Sequence, residues 1–442
     1  MQTIGKTSSV CPNCLKVIPA KIIEQSGRVL IQKNCPEHGS FQALISSDIE
    51  NYKFAKELYS QPQKKMVNNC PADCGLCFSH AQHTCLAVIE VTKDCDLHCG
   101  VCFASALGEQ SGAEVDLETI REMFKAVLKS EGTVRPVQLS GGEPLTRNDL
   151  PEIVKAGKEL GFDHIEINTN GIQLAKDPEL ARQLAEAGVS VIYLQFDGVN
   201  DDVYLKLRGE KLYEKKRDAI ENCQKAGIAV TLVPTIVKGV NDEQLGDIIR
   251  FAMAHRNVTG VNFQPVTYLG RYPQAFSKNL SDRATIPDII KGIVSQTNNL
   301  LKEDDFYPIP CPHPQCSALT LVMADENHIF PLTRLVNVKA LVNSVDDPAS
   351  VIPVAISKLW SMRPQDDVIK TLQKFLFVSN LARDDMQQPK LLTISMMAFQ
   401  DCWTLDIERL QKCCIHVVTP HGKLVPFCAH YLTSIDGKRL PY

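Results

Sequence analysis

Between residue 86 and about residue 266, short apolar runs alternate with amphipathic stretches, and that rhythm sets the fold. Strands are predicted at LAVIEV (86–91), PVQLS (136–140), HIEIN (164–168), SVIYLQF (190–196), AVTLVPTIV (229–237) and GVNFQPV (260–266). Helical periodicity fills the gaps at 117–130, 150–160, 178–188, 213–227 and 243–255. The third of these begins after Asp177 and stops at Gly188, a matched start and stop signal. Strand–helix alternation with right-handed crossovers gives an α/β fold, a parallel sheet with helices outside it. Six such units suit a partial (β/α)6, TIM-like barrel, in which chemistry gathers at the C-terminal strand ends. Residues 1–85 show little regular periodicity. Beyond a helix near 286–302 the chain mixes short strands and helices. The expected division is 1–85, a barrel at 86–280, and a C-terminal domain at 281–442.

Composition narrows the class. The 442 residues are 44% hydrophobic and 22% charged, ordinary for a globular protein, and a net charge of -4 argues against phosphate-driven nucleic-acid binding. No apolar run approaches the ~20 residues that span a bilayer. The start, MQTIGKTSSVCPNC, lacks an apolar signal core, which predicts a cytoplasmic protein. Cysteine changes the picture most. There are 17, an odd number, mostly in tight clusters, and in a reducing compartment such clusters read as metal ligands rather than disulfides. Cys223, inside a helical stretch, reads as buried and apolar.

Just past the first barrel strand stands Cys95-x3-Cys99-x2-Cys102. Three thiolates at this spacing can hold three corners of a [4Fe-4S] cube and leave one iron open, the mark of a reactive rather than a structural site. A structural zinc knuckle is the bland alternative, and the following strand ends argue against it. The second strand ends in Ser140-Gly141-Gly142-Glu143-Pro144, where two glycines let backbone approach a ligand closely. The third ends in Asn168-Thr169-Asn170-Gly171, the fourth in Gln195-Phe196-Asp197-Gly198, and the fifth is followed by Lys238-Gly239-Val240-Asn241-Asp242. Each pair of such residues alone is an ordinary turn. Four at successive strand ends, in order after the cysteines, form a constellation.

Further cysteines flank the barrel. Cys70, Cys74, Cys77 and Cys85 could fully ligate an auxiliary cluster, with His80 or His83 as substitutes and zinc as the alternative metal. Cys11-x2-Cys14 and Cys35-x2-His38 suit tetrahedral zinc or a rubredoxin-like iron that staples a small fold. Toward the C-terminus, Cys311, Cys316, Cys413 and Cys428 are the expected set for a second auxiliary cluster. Cys414 and Cys402 compete for a place, because adjacent Cys413 and Cys414 face opposite sides of a strand. The hairpin CIHVVTPHGKLVPFC is expected to turn at Pro420-His421-Gly422.

The cysteine triad, SGGEP, NTNG and GVND motifs over 86–266 resemble those of the radical S-adenosylmethionine (SAM) superfamily. With the second C-x3-C-x2-C, the N-terminal CPNC…CPEHG element, FQPVTYLGR, FYPIPC and KCCIHVVTPHGKLVPFC, nearly the whole chain resembles one family within it. That family is the archaeal-type dihydro-hydroxymethylpterin dimethyltransferases, also described as tetraether lipid synthases. The resemblance implies a 5′-deoxyadenosyl radical and carbon–carbon bond formation at an unactivated carbon. It also implies one SAM-binding and two auxiliary [4Fe-4S] clusters, a mononuclear zinc or iron, and a low-potential donor such as ferredoxin or flavodoxin. It assigns Cys95, Cys99 and Cys102 to the reactive cluster, and Gly141, Gly142, Glu143, Asn168, Asn170, Gln195 and Asp197 to SAM. Methylation of a pterin precursor leads, followed by lipid alkyl-chain coupling. A peptide-modifying maturase and a multi-cluster electron carrier are the rivals, and the carrier leaves the strand-end motifs without a role. A pterin demands a compact pocket with polar groups, a lipid a long apolar tunnel.

Overall fold

A computed structural model describes residues 1–58, 70–72, 75–77, 80–105, 114–274, 279–309, 311–335, 337, 338, 340 and 389–440. The N-terminal part, read as irregular, is an antiparallel four-stranded sheet: β1 (Gln2–Val10), β2 (Val17–Gln25), β3 (Arg28–Cys35) and β4 (Gly39–Ser46), followed by α1 (Ile49–Leu58). Ser26-Gly27, at φ 52° and 74°, supplies the two left-handed positions of a tight hairpin turn between β2 and β3. Ala20, Ile22, Val29, Ile31 and Ala43 make its core.

The barrel strands fall where the apolar runs predict them. They are β5 (Leu86–Thr92), β6 (Val137–Gly141), β7 (Ile165–Thr169), β8 (Val191–Gln195), β9 (Ala229–Val233), β10 (Thr235–Ile236) and β11 (Val258–Pro265). The fifth run is split because Pro234 cannot donate to a ladder. Between them lie α2 (Leu117–Glu131), α3 (Leu150–Glu159), α4 (Ile172–Lys176), α5 (Pro178–Ala187), α6 (Asp201–Arg208), α7 (Tyr213–Ala226) and α8 (Leu245–Ala254). The short α4 and α6 follow the strand-end motifs directly and are too brief for periodicity to reveal. Pairing through β5-β6-β7-β8-β9-β11 is parallel throughout. Alternate residues, among them Ala87, Ile89, Leu139, Ile167, Leu194, Leu232 and Val261, pack under the helices against Phe124, Ile153, Leu184, Ile220 and Ile249.

The C-terminal segment does not stand apart. After α9 (Ile286–Gln296) come β12 (Ser317–Ala324), β13 (Ile329–Pro331) and β14 (Lys390–Met397), and β14 extends the barrel sheet in parallel beside β11. The chain then passes through α10 (Ile407–Gln411) to β15 (Ile415–Val418), β16 (Leu424–Pro426) and α11 (Phe427–His430), and β15 pairs in parallel with β5 at the opposite edge. Strands from both sides of residue 281 thus share one sheet. Phe399, just past β14, stacks on Phe427 at 4.4 Å between centroids, so the two ends of the sheet curl toward each other.

Candidate active site

The cysteine loop after β5 is clamped from three sides. From β6, the Gly142 and Glu143 amides donate to the Thr92 and Asp94 carbonyls at 2.8 and 2.7 Å. A Cβ on Gly141 would lie 2.1 Å from Thr92 O, and one on Gly142 2.0 Å from Asp94 O, so only glycine permits this seating. From the segment after β11, Cys102 and Arg271 exchange backbone hydrogen bonds, and Arg271 Nε donates to Cys99 O at 2.8 Å. From α6, Arg208 Nη1 donates to Val101 O at 2.7 Å.

Cys95, Cys99 and Cys102 pack together with Leu97, Ile172 and Tyr204. Burial pushes the Cys95 thiol up to about 12 and raises that of Cys99, with Cys99 adding to the first effect and Cys102 to the second. Buried thiols stay protonated unless a cation takes the proton's place. Three cysteines of one packed group, on a loop locked by backbone contacts, are the residues that would hold three corners of a cluster.

The strand-end polar residues divide into two kinds. Asn168 and Gln195 lie half-buried on the sheet face away from the helices, with Asn168 Nδ2 bonded to Ser140 Oγ at 3.3 Å. Asn170 ties the loops together: its amide donates to Glu143 Oε2 at 2.7 Å and its Nδ2 to Asp96 Oδ1 at 2.6 Å. The Glu143 carboxylate, expected to hold the SAM amino group, is engaged inside the protein. It accepts from Leu145 N at 3.0 Å, Thr169 Oγ1 at 2.6 Å and Asn170 N at 2.7 Å. Burial drives its pKa up to about 7 against these bonds. Asp197 is a clear correction. Its carboxylate is fully buried, held by Arg208 at 2.7 and 2.8 Å and by Thr235 N at 3.1 Å, so it anchors α6 rather than meeting a ligand. Asn241 of the GVND turn donates to Asp197 O at 2.8 Å and locks that anchor.

The cysteines outside the barrel regroup. Cys11, Cys14, Cys35 and His38 bring their ligand atoms within 4.8 Å of one another, the geometry of one tetrahedral ion. Cys85 does not join Cys70 and Cys77. It meets Cys311 and Cys414, the three sulfurs lying within 4.8 Å of one another. The cause is register: Leu86 pairs with Ile415, so Cys85 N reaches Cys414 O at 2.7 Å. The Cys85 and Cys311 sulfurs are adjacent, with their Cα atoms 7.3 Å apart. Cys414, rather than Cys413, is therefore the partner of Cys311. Cys413 instead shares an electrostatic neighbourhood with Cys316 and Cys428, where Arg409 Nε lies 3.0 Å from Cys316 Sγ. Cys70 packs at the edge of the group that contains Cys428, Cys77 is exposed, and Cys74 lies outside the described residues. Cys402, the other competitor, is buried next to Lys33, which donates to its carbonyl at 2.6 Å.

The sheet face opposite the helices is polar. Gln138 Nε2 donates to Glu166 Oε1 at 2.6 Å, Gln264 Nε2 to Tyr193 OH at 3.1 Å, and Asn262 joins Tyr193 and Ser395. The apolar members of LLTISMMAFQ (391–400), Leu392, Ile394 and Met396, are core. Beyond the end of β11, a small cavity of about 50 Å³ opens among Val266, Ile290, Phe306, Phe399 and Arg283. Arg208, Lys216, Arg271 and Asp96 are site residues that the motifs did not reveal. Lys216 carried a signal: it shares a helix face with Leu212, Ala219, Ile220 and Cys223, a cation on an apolar stripe.

Known proteins resemble the chain in whole or in part. Residues 89–252 match the radical SAM superfamily, and residues 3–47 match the HMPTM N-terminal zinc ribbon domain. The 7,8-dihydro-6-hydroxymethylpterin dimethyltransferase of Methanocaldococcus jannaschii is 38% identical over 96% of this chain and 93% of its own length. A probable GTP 3′,8-cyclase of Archaeoglobus fulgidus is 32% identical over 42% of this chain and 60% of its own. Among solved structures, Streptococcus suis SuiB bound to S-adenosylmethionine is 17% identical, with a TM-score of 0.38, over 49% of this chain and 48% of its own. The chain is a radical SAM enzyme and belongs to the family of the 7,8-dihydro-6-hydroxymethylpterin dimethyltransferase.

Proposed function

We propose that this enzyme uses a SAM-derived radical to methylate a compact, polar, pterin-like precursor in the cytoplasm, drawing electrons from a low-potential carrier such as ferredoxin or flavodoxin. A [4Fe-4S] cluster on Cys95, Cys99 and Cys102 supplies the electron that cleaves SAM when both are bound. The protein's own residues do the rest. Gly141 and Gly142 seat the ligand-facing loop, while Asn168 and Gln195 present amides beside it. Glu143 braces that loop to the Asn170 turn. Two further thiolate groups, Cys85–Cys311–Cys414 and Cys316–Cys413–Cys428, are the candidate auxiliary sites. Cys11, Cys14, Cys35 and His38 hold a structural zinc.

The observation that carries the pterin reading is the polar inner face of the sheet. Gln138, Glu166, Tyr193, Asn262, Gln264 and Ser395 line this face with amide, carboxylate and hydroxyl groups. Such a face suits a polar ring, which can share in its hydrogen bonds, better than an alkyl chain, which cannot. The test is anaerobic turnover with SAM, reductant and 7,8-dihydro-6-hydroxymethylpterin, with product masses measured. A gain of one or two methyl groups on the pterin supports the reading. Release of 5′-deoxyadenosine only when an isoprenoid lipid replaces the pterin would overturn it.

A further inference from the structure

Side chains alternate along β5. Ala87, Ile89 and Val91 enter the core beneath the helices, while Val88 packs on the opposite face with Leu269, Phe427 and Tyr431. Glu90, two residues beyond Val88, shares that inner face and pairs in register with Ser140 of β6. Tyr431 OH donates to Glu90 Oε1 at 2.6 Å, and His430 Nε2 stands 3.4 Å from Glu90 Oε2. Both partners stand at the end of α11, and the Tyr431 ring is fully buried, so the mount is rigid.

The inner face carries another carboxylate, and the two differ. Glu166 is 1% exposed, accepts from Gln138 Nε2 at 2.6 Å and lies 3.5 Å from His164 Nε2, so its own neighbours close it in. The Glu90 side chain keeps 27% of its surface open. Burial works against its charge, yet the bonds from His430 and Tyr431 and the nearby Arg439 hold its carboxyl below the ordinary range. A carboxylate has about four lone-pair sites, and one bond to each oxygen leaves two for a ligand. Beside this group lies Phe103, a partly buried ring 4.8 Å from the Tyr431 centroid that directly follows Cys102 of the reactive triad. An anionic pair of acceptors next to an aromatic surface suits a flat heterocycle with two adjacent N–H donors.

We propose that Glu90 is the residue that recognises the aminopyrimidinone edge of the pterin, its two oxygens accepting the ring N3–H and the 2-amino N–H. The inference rests on the pterin reading above and gives it a specificity-determining group. That edge of the ring sets donor beside donor, and an ionised carboxylate sets acceptor beside acceptor. The 2-oxo counterpart of the same ring puts an acceptor where the amino group stood, against a carboxylate oxygen. An alkyl chain has no donor and leaves the anion unanswered. Tyr431 and His430 are positioning residues, which hold the carboxylate in one orientation.

The experiment measures equilibrium binding of 7,8-dihydro-6-hydroxymethylpterin and of its 2-oxo analogue. It uses anaerobically reconstituted full-length protein with SAM and without reductant, so that no turnover occurs. The wild type is expected to prefer the 2-amino ring by roughly a hundredfold or more. Glu90→Gln keeps the shape but presents one acceptor and one donor, the match for N3–H beside C2=O. It is expected to lower the preference by at least about tenfold and turn it toward the 2-oxo ring. A role confined to folding weakens both ligands alike and leaves the ratio unmoved. Tyr431→Phe frees the carboxylate to turn and should lower the ratio by at least about threefold, and it carries the test if Glu90→Gln fails to fold. A wild type that binds both rings equally, or a wild-type ratio in the variant that carries the test, overturns the proposal. A wild type that binds neither ring would instead refute the pterin reading beneath it.

Discussion

Replacing Glu143 with Ala removes the brace between the β6 and β7 loops. Three hydrogen bonds to a carboxylate are lost, from Leu145 N, Thr169 Oγ1 and Asn170 N. Burial favours the neutral carboxyl, to which each such bond contributes about 0.5–1.5 kcal/mol, so the net loss is about 1.5–4.5 kcal/mol. SAM affinity is expected to fall at least tenfold, because Asn170 and the Gly141–Gly142 loop lose their mutual register. Glu143→Gln keeps an oxygen for Thr169 and Leu145 but turns an amide N–H against the Asn170 N–H, so about half the stability loss is expected. The pH dependence has a definite sign. The pKa of Glu143 is raised from 4.5 to about 7 on folding, so the folded state favours its proton and stability falls as pH rises through that window. Between pH 6 and pH 8 the wild type should lose about 1 kcal/mol from this group, a slope absent in Glu143→Gln. Denaturant unfolding of reconstituted protein, with SAM binding on the same samples, provides the assay. Glu143→Ala within ~1 kcal/mol of the wild type, with unchanged SAM affinity, would refute the bracing argument.

The ribbon metal is expected to be structural: Cys11→Ala with Cys14→Ala, or strong chelation, should lower the Tm and release one zinc per chain, with little change in activity per folded molecule. Asp401 accepts from Arg283, Tyr268 N and Thr404 in a fully buried site, so Asp401→Ala should cost about 3–5 kcal/mol by leaving Arg283 uncompensated, as unfolding titrations would show. Cys414→Ala should lower iron content and product formation while 5′-deoxyadenosine release continues; full product yield would make that thiolate group merely structural.

The barrel was legible because its signals are local. Each strand is an apolar run of five to nine residues, and each motif sits at its end. Asp177 and Gly188 mark α5 by capping chemistry that acts within one turn. The N-terminal sheet was missed because β1, QTIGKTSSV, is polar on both faces and shows no alternation, although Ser26-Gly27 offered a hairpin signal. The auxiliary ligand sets were misgrouped for a different reason. Spacing along the chain joins Cys85 to Cys77, but parallel pairing of β5 with β15 joins it to a residue 329 positions later. Strand alternation had shown that Cys413 and Cys414 part company, without saying which side Cys85 occupies. Asp197 failed as a ligand residue because its partner, Arg208, lies on a helix whose shortness left no pattern to read.

The central claim is that Cys95, Cys99 and Cys102 hold the cluster that cleaves SAM. The direct measurement compares anaerobically reconstituted wild type with the triple variant Cys95→Ala, Cys99→Ala, Cys102→Ala, recording 5′-deoxyadenosine under reducing conditions and the EPR spectrum with and without SAM. The wild type should release 5′-deoxyadenosine and show a SAM-perturbed signal. The variant should stay folded on its other metal sites and show neither. Continued 5′-deoxyadenosine release by the triple variant would contradict the account.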